Sequence, residues 1–294
     1  MTTALRGAAP RGALRRVDFA APPKKAWGRD AEPETAPMPD GQPPSAGTAA
    51  AIRRDLAAAY RLIAHFGMDD GIYTHISARL PEDGSGRHRF LLNPYGLRFD
   101  EVTAGTLVTV DPDGTVVDDP YGAGINAAGF TIHSAVHMAR PDALCVLHTH
   151  TVAGVAVSSV EEGLLALNQW SAQFHGRVAF HDYEGIALDL DERERLIADL
   201  GARNVMILRN HGMLTCGRSV AEATKLALNL ERSCKAQVAA LGMGLTPRPI
   251  PEAVAEHTAR QYEAAYDATE ESGTDPEWDA WLRLLADAAP GYDR

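Results

Sequence analysis

The chain has 294 residues, 45% of them hydrophobic and 23% charged, and a formal net charge of −11. That length suits one large domain or two, and the negative balance excludes nonspecific attraction to nucleic acid or anionic lipid. No run approaches the roughly 18–20 apolar residues of a membrane span, and the odd cysteine count (Cys145, Cys216, Cys234) implies no disulfide framework and points to a reducing, cytoplasmic setting.

Residues 1–45 scatter prolines from Pro10 to Pro44 among Ala, Gly and charges with no periodic apolar face, which predicts a disordered Pro/Ala-rich arm. Arg6, Arg11, Arg15 and Arg16 lie in this arm without an apolar h-region, so a secretory signal is not expected. The ordered domain is expected over 46–245, with a helical extension over 246–294. Ile52, Leu56, Ala59, Tyr60 and Ile63 fall at helical spacing before Gly67. Strands follow at 72–80 and 89–93, joined by a turn at 81–86, then at 107–110 and 115–117 around Asp111-Pro-Asp-Gly114. A helix spans 127–139, stopped by Pro141; a strand at 143–148 and a short helix near 152–159 come next. Val178–Phe180 reads as a strand, Asp191-x-x-Glu194 as a capping box opening a helix to Leu200, and 204–209 as a buried strand. Ser219 starts a long helix to Leu241, and two helical stretches at 250–270 and 276–288 finish the chain. Strands and helices alternate without an even βαβ rhythm, so the expected fold is an α/β sandwich with a mainly antiparallel central sheet.

Two apolar strands end abruptly in histidine: Ala143-Leu-Cys-Val-Leu-His148-Thr-His150 and Val205-Met-Ile-Leu-Arg-Asn-His211-Gly212. Alternate side chains of an extended segment share a face, so His148 and His150 point the same way. A third imidazole from another strand end completes a set suited to a divalent metal with an open position for substrate. The set does not choose between zinc, manganese and iron.

Gly129-Phe-Thr-Ile-His133-Ser-Ala-Val-His137-Met-Ala-Arg140-Pro141-Asp142, then His148-Thr-His150, then Arg209-Asn-His211-Gly212, resemble the class II aldolase/adducin family over roughly residues 48–245. The resemblance implies a three-layer α/β/α sandwich around a nine-stranded sheet. It also implies a homotetramer with sites at subunit interfaces and a divalent metal, usually zinc, on His148, His150 and His211. Family sugar-phosphate aldolases carry Ser-Ser-Glu where this chain has Ala127-Ala128-Gly129, so their acid/base and phosphate-binding groups are missing here. Tyr73-Thr-His75-Ile-Ser77 resembles a family phosphate loop with His75 in place of Asn, and Asn93-Pro-Tyr95-Gly96 another with Tyr95 in place of Thr. Ile125-Asn126-Ala-Ala-Gly-Phe and His181-Asp-Tyr-Glu-Gly185 are closer to adducin heads and their bacterial relatives. The acidic, aromatic stretch around Trp278 and Trp281 differs from the lysine-rich adducin tail.

The expected activity is a metal-dependent lyase, by aldol cleavage or decarboxylation, on a small unphosphorylated hydroxy or oxo acid, through a metal-stabilised enolate. His181, Tyr183 and His175 are the candidate proton carriers, and His75, Asn93, Tyr95, Asn126 and Gly129 the candidate substrate contacts. His133 and His137, at i and i+4, are expected in the core or behind the ligands. The alternatives are a non-haem iron oxygenase or decarboxylase on an aromatic oxo-acid, for which His75, Tyr95 and Trp170 would suit, and a non-catalytic adducin-like scaffold.

Overall fold

A computed structural model describes residues 47–82, 84, 88–185 and 192–294. The proline-rich arm, part of the 81–86 turn and the Asp191 cap lie outside these described residues. Eight strands form a single sheet: β1 (His75–Arg79), β2 (Phe90–Leu92), β3 (Val108–Val110), β4 (Val116–Asp118), β5 (Cys145–Thr149), β6 (Val178–His181), β7 (Val205–Leu208) and β8 (Gly212–Gly217). Their order is β4-β3-β2-β1-β5-β8-β7-β6, antiparallel throughout except for the β6–β7 pair. The sheet is therefore mainly antiparallel, with eight strands among the described residues where the resemblance implies nine. β8 is the strand that sequence patterning does not separate from the motif before it.

The helices are α1 (Ala49–His65), α2 (Ala127–Ala139), α3 (Val152–Ser158), α4 (Gln169–Ala172), α5 (Glu192–Leu200), α6 (Val220–Gly242), α7 (Glu252–Ser272) and α8 (Pro276–Ala288). Side-chain oxygens cap several of them: Thr48 accepts from the Ala51 N–H, Asn126 from Ala128 and Gly129, Ser219 from Glu222 and Asp275 from Trp278. Each satisfies a donor that a helix start leaves orphaned.

Strand alternation sorts the sheet into two buried faces. Ile76, Ala78, Leu91, Cys145 and Leu147 meet α1, α6 and α8 through Leu56, Tyr60, Ile63, Ala223, Ala227, Trp278 and Leu285. Val146, Met206, Leu208, Leu214 and Cys216 meet α2 and α5 through Ile132, Val136, Leu196 and Leu200. Each fully buried aliphatic side chain contributes roughly 2 kcal/mol by its removal from water. On β1 the second face is polar: His75, Ser77 and Arg79 lie under α2 while Ile76 and Ala78 face α1. That one strand carries both an apolar and a polar core surface, and its polar edge reaches the candidate site. No helix among the described residues is long and apolar enough to cross a membrane.

Candidate metal centre

β5 delivers His148 from its last turn of pleat, and His150 follows one residue past the strand on the same side. The hairpin between β7 and β8 delivers His211. Leu208 pairs with Gly212, so only Arg209, Asn210 and His211 make the turn, and Asn210 takes a left-handed conformation with φ 57°. Asparagine tolerates that region better than most residues. Gly212 is required for a different reason: a Cβ there would lie 2.4 Å from the Thr149 carbonyl oxygen, the backbone that carries the His pair. The Asn-His-Gly sequence thus turns the chain and lets β8 close against β5.

The three Nε2 atoms converge. His148 and His150 stand 2.8 Å apart and His150 and His211 2.9 Å apart, and the ligand atoms of all three lie within 4.8 Å of one another. For His148 and His150 the other nitrogen settles the tautomer. His148 Nδ1 is 2.9 Å from the Met213 carbonyl, which can only accept, so the proton sits on Nδ1 and Nε2 carries a lone pair. His150 Nδ1 is 3.0 Å from Asp70 Oδ2 with the same consequence. Burial holds the His148 pKa well below the ordinary imidazole value, and the neighbouring His75, His150 and His211 add to the effect. Burial, then His150 and His181, push His211 down to about 4. The His148 and His150 Nε2 lone pairs, turned toward each other 2.8 Å apart, repel unless a cation lies between them. Tetrahedral bonds of about 2.0–2.1 Å place ligand nitrogens about 3.3 Å apart, so slight spreading of these rings accommodates one divalent ion. The donor set fits a metal, and carboxylate and carbonyl partners behind the ligands are what metal-binding histidines ordinarily have.

Asp70 was not singled out from sequence. It sits in the turn between α1 and β1, where its carbonyl accepts from the Tyr73 N–H at 3.0 Å; the Asp-Asp-Gly71 turn signal was present, but not its destination.

His75 adjoins the triad. It pairs in register with His148, their rings are 5.2 Å apart, and His75 is 4% exposed. It lies directly beneath Gly129, where a Cβ would meet its Cδ2 at 2.2 Å and its Nε2 at 2.4 Å. The small residue of α2 and the large one of β1 therefore share one volume.

His181 closes the C-terminal end of β6 and is buried; Asp199 Oδ2 lies 2.7 Å from its Nδ1 and Glu192 Oε1 3.5 Å from its Nε2. Tyr183 is half-exposed with its ring 6.2 Å from that of His211. A small open cavity runs between them, lined by His181, Tyr183, Glu184, Arg209 and His211 among others. His175 is not brought here: it precedes the N-terminal end of β6, and the strand's length separates it from His181. Asn93 is buried and accepts a hydrogen bond from the Tyr60 hydroxyl at 2.8 Å, which ties the loop after β2 to α1. Asn126 spends its side-chain oxygen on the α2 cap, at 3.1 and 3.3 Å. Tyr95 is exposed, its N–H donating to the Gly124 carbonyl, and Trp170 is exposed on α4.

Residues 54–238 match the family described as Class II Aldolase and Adducin N-terminal domain. An aldolase II superfamily protein of Pseudomonas syringae is 48% identical, covering 85% of this chain and 97% of that one, with a TM-score of 0.77. The L-fuculose 1-phosphate aldolase of Glaciozyma antarctica is 30% identical over 84% of this chain and 96% of its own, with a TM-score of 0.70. Alpha-adducin of Rattus norvegicus is 41% identical over 244 residues, which are 80% of this chain and 33% of that protein.

Proposed function

Because the chain belongs to the class II aldolase and adducin family, we propose that it is a divalent-metal-dependent lyase that cleaves a C–C bond in a small, unphosphorylated hydroxy or oxo acid. The observation that carries this reading is the convergence of the His148, His150 and His211 Nε2 atoms, with Met213 and Asp70 holding two of the rings from behind. A cation bound there supplies a Lewis acid for the enolate charge that aldol cleavage and decarboxylation share. Zinc is the first expectation, with iron and manganese compatible with the same ligands.

The chain's own residues do the rest. Gly129 offers no carboxylate beside the triad, so the proton passes to another group. His181, held by Asp199 and facing Glu192, and Tyr183 beside His211 each carry an exchangeable proton next to the centre. The chain's membership of the family extends to it the family's assembly, a homotetramer with sites at its subunit interfaces.

A second reading draws on the 41% identity to alpha-adducin: a non-catalytic scaffold. Metal analysis of the purified chain separates the two. The lyase reading expects about one divalent ion per chain, its loss in His148→Ala, His150→Ala and His211→Ala, and turnover of an unphosphorylated α-keto or hydroxy acid that disappears with it. Bound iron with dioxygen uptake would turn the reading to an oxygenase. Wild-type protein that holds no ion would leave the scaffold, and a phosphorylated ketose as best substrate would overturn the unphosphorylated class.

A further inference from the structure

Behind the metal centre, β1 and α2 enclose a continuous line of hydrogen bonds. His75 Nδ1 lies 2.8 Å from His133 Nε2, His133 Nδ1 2.6 Å from Ser77 Oγ, Ser77 Oγ 2.7 Å from His137 Nε2, and His137 Nδ1 3.0 Å from the Ala143 carbonyl oxygen. Ser77, His133 and His137 are each no more than 1% exposed. No carboxylate hydrogen-bonds to any of the three histidines among the described residues.

The far end fixes the direction of every bond. A carbonyl oxygen only accepts, so His137 Nδ1 carries a proton. The ring is neutral in this buried setting: burial, then the Arg79 guanidinium, push its pKa down to about 3. Its Nε2 is therefore a lone pair, which takes the single Ser77 hydroxyl proton. Ser77 Oγ must then accept from His133 Nδ1–H. Burial, then His137, hold His133 well below the ordinary value too, so its Nε2 accepts in turn, and His75 Nδ1 must donate to it. His75 is buried too, and no carboxylate hydrogen-bonds to it among the described residues to balance a second ring proton. Its remaining nitrogen, Nε2, ends the line as a lone pair. It makes no hydrogen bond among the described residues and lies against Gly129 at the edge of the triad.

We propose that His75 is a specificity-determining hydrogen-bond acceptor of the site, locked in the Nδ1–H tautomer by positioning residues His133, Ser77 and His137, and that it selects ligands presenting a hydroxyl group there. A donor hydroxyl pairs with Nε2, whereas an ionised phosphate or carboxylate oxygen meets lone pair with lone pair. The absence of a side chain at position 129 is part of the device, because any Cβ would displace the ring. The ligand-selection half rests on the metal-centre reading above; the tautomer half stands on the hydrogen-bond line and on the burial of its members.

The test has two arms. Side-chain 15N NMR of the full chain labelled in histidine, with the His75→Asn spectrum to assign the signal, is expected to show His75 neutral with a protonated Nδ1 and an unprotonated Nε2. Ser77→Ala is expected to release it into a tautomer mixture. A protonated His75 Nε2, or a signal unchanged in Ser77→Ala, would overturn the lock. Gly129→Ala is expected to abolish the same signature and lower the melting temperature, with a smaller penalty in the His75→Asn background; equal penalties would break the shared-volume claim. In the second arm, metal-loaded protein is titrated with glycolate and with phosphoglycolate by calorimetry. Glycolate is expected to bind the wild type better, and His75→Asn, whose amide can donate, to shift the ratio toward phosphoglycolate by roughly tenfold or more. An unchanged ratio overturns the selection. Failure to bind metal at all would sink the lyase reading while the NMR arm still judges the lock.

Discussion

Two groups of histidines sit on the same face of the same sheet and obey opposite hydrogen-bond logic. In the triad, His148 and His150 direct their protons outward, to Met213 and Asp70, and leave lone pairs that converge on His211 Nε2. In the seam between β1 and α2, each lone pair receives the next proton along the line until His75. The first arrangement is incomplete without a cation; the second is complete by itself up to its last nitrogen. Residue type therefore says little about role here. The anchoring acceptor behind each ring decides whether it offers a ligand atom or closes a network.

The comparison breaks most visibly in acid. The seam tolerates no added proton, since every ring nitrogen between Ala143 and His75 is already committed. His137 falls from an ordinary value of 6.5 to about 3 on folding, so between those two pH values the unfolded chain binds more protons than the folded one. Stability is then flat above about pH 6.5 and declines as pH falls below it, by roughly 1.4 kcal/mol per pH unit for this one group. Urea titrations of metal-free protein between pH 7.5 and 4 check the slope. His137→Asn keeps a donor for Ala143 but removes the acceptor for Ser77. It is expected to cost about 1–3 kcal/mol at pH 7 and to flatten the acid slope. A variant with the wild-type slope would mean that His137 does not titrate as the seam requires.

Asp70→Asn sharpens the other half. The Asp70 side chain is half-exposed, so the fold is expected to hold within about 0.5 kcal/mol. The charge behind His150 is lost, and metal affinity is expected to drop by about 10–100-fold, the usual consequence of removing an outer partner of a ligating histidine. Competition with a chromophoric chelator measures it. His137→Asn in the same assay is expected to bind metal as the wild type does, and a fall there would join the two histidine groups into one unit.

The triad was legible because its signals are local: a period of two places His148 and His150 together, and each apolar run ends at the histidine it positions. The start of α6 at Ser219 and the apolar stripes of α1 and α6 were legible for the same reason, whereas Asn126, expected at the substrate, caps α2. β8 was not, because Gly212–Gly217 starts directly after His211 and is bounded by glycines that weaken a strand signal. The seam was legible only in halves. His133 and His137 share a helix stripe, and His75 and Ser77 a strand face, but the bonds joining them span 56 to 60 residues and exist only once α2 lies over β1. Gly129 showed the lack of a carboxylate at that position; that the space belongs to His75 is a tertiary fact.

Asn126 gives the smallest effect and the finest distinction. Its side-chain oxygen caps α2 one turn before Gly129, so Asn126→Ala is expected to cost about 1 kcal/mol in urea. Asn126→Asp restores a cap acceptor and adds a favourable charge at the helix start, so stability returns. If Asn126 acts only as a cap, substrate or ligand affinity at the metal centre follows stability and recovers with Asp. A variant that regains its urea midpoint yet still binds glycolate weakly would show that the amide nitrogen also contacts the ligand. The floor of the site would then be built from α2 as well as from β1.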